Sequence, residues 1–260
     1  MLIKKKVINY ELTVRALDGK ETVVSYNATT FYDRDRRLQG VFATARDITD
    51  RKQAEKQILD LALHDTLTGL PNRRLLNERL SQTMVAGKRT GCFNALMFMD
   101  VDKFKLLNDT QGHYVGDLLL IEVARRIHSC LREADVVARF GGDEFVVILN
   151  ELDVDRDSST THSLMVAEKL RAALDKLYLL TSEREDQPEI TVEYRCTASI
   201  GVVLFKESEG SRDDLLRWAD AAMYQAKEAG GNSIQLFDPD NPIFQENSDQ
   251  LEGQNKLAEP

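Results

Sequence analysis

The run Arg139-Phe140-Gly141-Gly142-Asp143-Glu144-Phe145 constrains this chain more than any other segment, because it sets two acidic residues beside a glycine pair between two strand-like stretches. Val136 to Phe140 and Phe145 to Leu149 are β-branched and apolar enough to pair, and Gly141-Gly142 tolerates the positive φ angles of a tight turn. The expected product is a hairpin whose tip carries the carboxylates of Asp143 and Glu144. Its glycines present no Cβ to a ligand approaching the backbone. Taken alone, the same residues also suit an ordinary solvated hairpin.

A second acidic position precedes it. The mostly apolar run Phe93 to Met99 has strand length and ends directly in Asp100-Val101-Asp102. If the two strands are neighbours, Asp100, Asp143, Glu144 and the carbonyl of Val101 can hold one or two divalent cations against a nucleoside triphosphate. Mg²⁺ suits such a site, since it accepts a few carboxylates together with water and phosphate oxygens, and paired ions support in-line phosphoryl transfer. By itself Asp100 suits a strand-end cap equally well. Beyond it, Lys103 to Asp109 reads as a short helix or turn, where backbone N–H groups and Lys105 can face phosphate oxygens. Gly112 to Asp117 follows, and then Leu118 to Leu131 with helical period. Asn108 and Asp117 together can read a guanine edge, the carboxylate accepting from N1–H and N2–H and the amide addressing O6 or N3. Separately, Asn108 suits a turn and Asp117 a helix cap.

These stretches carry a family resemblance. Over roughly residues 62 to 237 the chain resembles the GGDEF domain of bacterial diguanylate cyclases. The matching segments are His64 to Arg73, Asp100-Val101-Asp102 with Phe104-Lys105 and Asn108-Asp109, Gly112-His113 with Gly116-Asp117, Arg139 to Phe145, Ala198 to Val202, and Ala219-Asp220 with Met223-Tyr224 and Ala226-Lys227. The resemblance implies a fold like the palm of nucleotide polymerases and adenylyl cyclases. It also implies condensation of two GTP into cyclic di-GMP and two pyrophosphates, with two Mg²⁺ or Mn²⁺ ions per half-site and a homodimer for activity. On this analogy Asp100, the Val101 carbonyl, Asp143 and Glu144 serve the metals, with Asp143, Glu144 and Lys105 as the catalytic set. Asn108 and Asp117 read guanine, Lys105 and Lys227 contact phosphates, and Phe104, Gly141 and Gly142 complete the substrate site.

One departure stands out. The family usually has Gly-Arg-Asn after the matching lysine, the arginine binding terminal phosphates, whereas this chain has Gly230-Gly231-Asn232. A charge-assisted contact of that kind contributes about 1.5–3 kcal/mol, so its loss weakens GTP binding roughly 10- to 100-fold. A regulatory element is also matched: Arg132-Glu133-Ala134-Asp135 has the pattern and offset of the family's Arg-x-x-Asp product-inhibition site. An arginine fork suits phosphate and the Hoogsteen edge of guanine, so cyclic di-GMP is the expected occupant, with Arg171 as a secondary arginine. Outside this context Arg132 and Asp135 would read as a solvated ion pair.

At 260 residues the chain can bury one sizeable core and a smaller unit, and 42% apolar residues is ordinary for a globular protein. A net charge of -9 argues against a general nucleic-acid binder, though a few lysines and metals can keep a site locally positive. Cys92, Cys130 and Cys196 lack metal-ligand spacing and suit free thiols in a reducing cytoplasm. No run is long and apolar enough to span a bilayer, and no signal-peptide pattern follows Met1, so membrane contact is not expected from this chain.

Residues 1–48 form a separate segment. Val7 to Ala16, Glu21 to Phe31 and Leu38 to Asp47 alternate like three strands, and Asp18-Gly19, Gly40-Val41-Phe42 and Arg46 to Thr49 resemble the C-terminal half of a PAS sensor with its exit motif. A helical linker is expected over 49–63: Asp50 with Gln53 resembles a capping box, and Arg51, Ala54, Ile58 and Leu61 recur at three- and four-residue steps. That stripe suits either a parallel dimeric coiled coil or a single helix lying on its own domain. The catalytic domain is expected over 64–237, and 238–260 reads as a disordered acidic tail. The expected fold class is α/β, a mainly antiparallel central sheet flanked by helices. Helices are placed near 72–87, 113–131, 161–176 and 212–229, and strands near 93–99, 136–140, 144–149, 191–198 and 200–205. Two functions are compatible with these residues: an active cyclase, or a non-catalytic module that binds GTP or cyclic di-GMP.

Overall fold

Alternation along the first 47 residues does produce a sheet. In the computed structural model, which describes residues 6–182, 190–206 and 209–238, β1 (Lys6–Arg15), β2 (Glu21–Tyr32) and β3 (Leu38–Asp47) form a three-stranded antiparallel meander. Register puts Tyr10 beside Tyr26 and Leu12 beside Val24, so one face is apolar. That face is thinly covered, with Tyr10 at 56% and Val41 at 54% exposure. Helix α1 (Thr49–Leu63) follows. Its entry is fixed by Asp47, whose Oδ1 accepts the Thr49 N–H at 2.9 Å, and not by the expected box at Asp50. None of its residues is buried, and Ile58 and Leu61 are more than 60% exposed. The apolar stripe of the helix is therefore exposed at Ile58 and Leu61. This unit, Met1–Ala62, is compact by itself, and Leu63–Pro260 forms the second.

In the second unit the elements run α2 (Arg73–Thr90), β4 (Asn94–Val101), α3 (Phe104–Gln111), α4 (His113–Cys130), β5 (Val136–Gly141), β6 (Glu144–Leu149), α5 (Arg156–Leu174), β7 (Tyr178–Ser182), β8 (Ile190–Tyr194), β9 (Ala198–Phe205), α6 (Arg212–Glu228) and β10 (Ile234–Leu236). The five-stranded sheet has the order β10-β9-β4-β6-β5, antiparallel except for the β10/β9 pair. Every residue of the central strand β4 is buried. Its period of two sends Ala95, Met97, Met99 and Val101 into the core shared with α4 and α5, and Leu96 and Phe98 into the core shared with α2 and α6. This is the expected α/β class, two helical layers on a mostly antiparallel sheet.

Two boundaries differ from expectation, and two strands were not expected. The strand placed at 191–198 is split: β8 pairs only with β7 in a separate two-stranded sheet, and the chain rejoins the central sheet at Ala198. Thr191 to Tyr194 has the half-exposed alternation of a hairpin, while Ala198–Phe205 is buried throughout. Helix α5 begins at Arg156 because Asp155 caps it, accepting the Ser158 N–H at 2.8 Å. The two short strands β7 and β10 carry too few residues to signal themselves. The tail expected beyond Asp238 lies outside the described residues.

Candidate active site

The β4/β6 register sets Asp100 directly opposite Glu144. Two residues on from Phe98, Asp100 points to the α6 side of the sheet, at its strand's end. The hairpin closes through Gly141 paired with Glu144, so its two-residue loop is Gly142-Asp143, not the expected Gly141-Gly142. Only Gly142 has positive φ, at 50°, in the first loop position where a type II′ turn wants glycine. Asp143 is thereby carried back over β4, its carbonyl accepting the Val101 N–H at 3.3 Å. Arg139 fixes the loop: Nε and Nη2 donate to the Gly142 carbonyl at 2.9 and 2.7 Å, and Nη1 donates to Asp65 at 3.0 Å. Burial works against charge on Asp65, but hydrogen bonds from Thr68 and Arg139 outweigh it and hold its carboxyl below the usual range. Neither Arg139 nor Asp65 was singled out from sequence as a site residue, because a clamp between positions 74 residues apart has no local signature.

Helix α6 supplies the opposite charge. A Cβ at Gly201 would lie 2.1 Å from the Ala219 carbonyl, so glycine is what lets α6 rest directly on β9. The approach brings Lys227 Nζ to 2.7 Å from Asp100 Oδ2. Burial pushes the Asp100 carboxyl up to about 6; the Lys227 hydrogen bond opposes this and the nearby Asp143 and Asp102 charges add to it. Glu144 is also raised, first by burial and then by the charges of Asp220, Asp100 and Asp143. Asp220, raised by burial and restrained by Lys227, is a further acid of the site that sequence reading left without a role. Its signal was the seven-residue spacing to Lys227, which puts both on one face of α6.

The nucleotide-side residues lie on α3 and α4. Asn108 Oδ1 is buried with no hydrogen-bond partner in the structure, and a Cβ at Gly116 would sit 2.0 Å from it. Glycine at 116 thus makes room for this unpartnered acceptor, which is buried against α4. Asp117 is exposed in the first turns of α4, Lys105 is exposed in the first turn of α3, and Phe104 is half-buried against the core.

Asp102 is placed differently from Asp100. Its carboxylate accepts the hydroxyls of Thr197 and Ser199 at 2.6 and 2.7 Å and the Asn232 N–H at 2.9 Å. Gly231, with φ of 77°, packs against it, and a Cβ there would lie 3.1 Å from Oδ2. The departure from Gly-Arg-Asn is therefore built into a left-handed turn, Gly230, Gly231 and Asn232 all having positive φ.

The expected regulatory residues have different hydrogen-bond partners. Arg132 Nη2 lies 3.3 Å from Asp135 Oδ1 and also donates to the Asn150 carbonyl, at the end of the sheet opposite Asp100. Arg171 is engaged elsewhere, with Glu168 at 2.6 Å and Asn232 Oδ1 at 2.7 Å. Among the described residues it shares no hydrogen-bond partner with Arg132 or Asp135.

Among the described residues no three His, Cys, Asp or Glu side chains are gathered tightly enough to hold a metal ion by themselves. Asp100 and Glu144 do offer an all-oxygen donor set whose mutual charge favours a cation. That chemistry fits a hard divalent ion completing its shell with water and phosphate oxygens.

The fold and this acidic hairpin match known proteins. A family model described as diguanylate cyclase, GGDEF domain, covers residues 62–233, and the chain belongs to that family. The bifunctional diguanylate cyclase/cyclic di-GMP phosphodiesterase MucR of Pseudomonas aeruginosa is 42% identical over 190 residues, 73% of this chain and 26% of MucR. This chain thus spans about a quarter of that relative's length. The solved GGDEF domain of TpbB (YfiN) from the same organism is 35% identical with a TM-score of 0.60, covering 70% of this chain and 99% of that one. The coiled coil and GGDEF domain of DgcB from Caulobacter crescentus, solved in complex with c-di-GMP, gives 25% identity and a TM-score of 0.62 over 73% of this chain and 93% of that one. No described helix is long and apolar enough to cross a membrane.

Proposed function

We propose that this chain is a diguanylate cyclase that condenses two GTP into cyclic di-GMP and two pyrophosphates. The observation that carries the reading is the pairing of Asp100 with Glu144 across β4/β6, with Lys227 2.7 Å from Asp100. Asp100, Glu144, Asp143 and the Val101 carbonyl would hold Mg²⁺ or Mn²⁺, two ions per half-site. When bound, such ions activate the attacking ribose 3′-oxygen and neutralise charge on the leaving pyrophosphate. The protein's part is placement. The Asn108 amide addresses O6 or N3 of guanine, and Asp117 accepts from N1–H and N2–H. Lys105 and Lys227 bind phosphate oxygens, Phe104 packs beside the nucleotide, and the Arg139 clamp holds Gly141, Gly142 and Asp143 where a triphosphate approaches the backbone.

Each catalytic domain binds one GTP, so bond formation requires two domains face to face. The exposed Ile58 and Leu61 stripe of α1 supports a parallel homodimer as the device that sets this geometry. The three-stranded unit before it is read as part of a PAS-like sensor, and the enzyme as cytoplasmic. Cyclic di-GMP is the proposed ligand of Arg132 and Asp135, slowing the enzyme from a distance.

A second reading, a module that binds GTP or cyclic di-GMP without turnover, is favoured by one observation, the absence of a phosphate-binding arginine at Gly231. Incubating purified protein with GTP and Mg²⁺ or Mn²⁺, followed by chromatography, separates the two. Accumulation of cyclic di-GMP and pyrophosphate is expected. Bound but unconverted GTP would overturn the enzyme in favour of the module.

A further inference from the structure

The ion pair between Lys227 and Asp100 occupies one oxygen of the carboxylate that the proposed reaction needs for a metal ion. Asp100 has a side chain only 9% exposed, and its Oδ2 is capped by the ammonium at 2.7 Å. A hard divalent cation bonds carboxylate oxygen at about 2.0–2.1 Å. Two positive centres on one carboxylate oxygen repel strongly in a site with little water to screen them. The lysine has somewhere to go: it is a point charge on a flexible four-carbon stem, its side chain is 36% exposed, and Asp220 lies on its own face of α6.

We infer that Lys227 is a built-in place-holder cation, neutralising Asp100 while the site lacks a divalent ion and leaving that oxygen when the ion and a triphosphate arrive. This rests on the reading of Asp100 as a metal ligand. A bare divalent ion then has to compete with the protein's own cation. A triphosphate removes the competition by taking the ammonium onto its own oxygens, so one side chain first guards the metal site and then binds substrate.

The test is nucleotide-free Mn²⁺ binding, read from the electron paramagnetic resonance signal of free Mn²⁺, in wild type, Lys227→Met, Lys105→Met and Asp100→Asn. Lys227→Met should bind Mn²⁺ about 10-fold tighter than wild type, a shift of about 1.4 kcal/mol. Lys105→Met, which removes an exposed lysine, should change little, and Asp100→Asn should lose the site. Thermal melting gives the second readout. In EDTA Lys227→Met should melt below wild type, because a buried carboxylate has lost its partner, and Mn²⁺ should close the gap. Lys227→Gln serves as the second variant, its amide keeping a hydrogen bond without the charge. Equal Mn²⁺ affinity in wild type and both Lys227 variants would overturn the place-holder while leaving the metal site standing, provided that Asp100→Asn weakens binding. An equal gain in Lys105→Met would reduce the effect to the general field and overturn it as well. Absence of Mn²⁺ binding in every protein would sink the metal-site reading and this inference together.

Discussion

The central sheet carries carboxylates at both ends, and they live under opposite conditions. Asp100 is pushed up to about 6 by burial, with Glu144 and Asp220 raised beside it. At the far end Asp135 is more deeply buried, its side chain 2% exposed, yet it is fully partnered. It accepts the Arg132 N–H at 3.1 Å, the Arg132 guanidinium at 3.3 Å and the Asn150 N–H at 3.3 Å. Burial alone therefore does not decide how a carboxylate is held. What separates Asp100 from Asp135 is whether the chain itself completes the carboxylate's hydrogen bonding. Asp135 is completed from within, whereas Asp100 crowds other acids and has one lysine, an arrangement expected of an acid kept for a ligand at the expense of stability.

Replacing Asp100 should give the largest effect. Asp100→Asn is expected to lower cyclic di-GMP formation at least about 100-fold, since the metal loses a charged ligand. The metal-free protein should nevertheless melt at or above wild type at pH 7. The sign follows from linkage: a carboxyl whose folded value is raised binds its proton more tightly in the native state than in the unfolded chain. Wild-type stability in EDTA should then fall as pH rises from the ordinary carboxylate value of 3.8 through about 6, and Asp100→Asn should show a shallower decline, with Glu144 and Asp220 still contributing. Melting curves across this range decide the point. A variant clearly less stable than wild type at pH 7 would mean that Asp100 supports the fold, as Asp135 is expected to.

Asp135→Ala should do the converse. Leaving the Asn150 and Arg132 donors without their buried acceptor is expected to cost about 2–4 kcal/mol by denaturant titration, with turnover per folded molecule near wild type. Arg132 can be separated from this structural task, because its side chain is 52% exposed. Arg132→Ala should cost about 1 kcal/mol or less. It should weaken cyclic di-GMP binding about 10-fold by calorimetry and relieve product inhibition without raising the GTP requirement. Unchanged product affinity would reduce Arg132 and Asp135 to a loop-closing ion pair.

The Asp100 end was the more legible from sequence, for a physical reason. An apolar strand that stops at an aspartate, and glycines before an acidic pair, are local patterns, so the β4 and β6 contributions could be placed without knowing the fold. The helix position of Lys227 followed from period, whereas the segment of Asn108 suited a short helix or a turn equally. What could not be read were choices of partner across the chain: Arg139 reaching Asp65, Asp102 gathering Thr197, Ser199 and Asn232, and Arg171 turning to Asn232 instead of Arg132. The break between β8 and β9 was missed likewise, since both pieces are strand-like and only their pairing differs. Which glycine of a pair takes the left-handed angle also depended on register, and register is a property of two strands together.

Asp102 sharpens the comparison, because it stands near Asp100 but is completed like Asp135. If completion and not location decides an acid's role, disturbing Asp102 should cost stability first. Gly231 is the handle: its φ of 77° lies in the left-handed region, and a Cβ would press on the Asp102 carboxylate at 3.1 Å. Family resemblance alone suggests that Gly231→Arg should restore a phosphate contact and lower KM. The geometry opposes this, since a non-glycine residue in that conformation is strained by about 1–2 kcal/mol, and the carboxylate must shift away from its three donors. Gly231→Ala, which adds the Cβ without the charge, should lose about 1 kcal/mol of stability with little change in KM. Gly231→Arg should lose at least as much and gain no affinity for GTP. Steady-state kinetics beside denaturant titration of both variants distinguish the alternatives. A lower KM for Gly231→Arg at undiminished stability would show that the turn can leave its left-handed form, and that Asp102 does not hold it there.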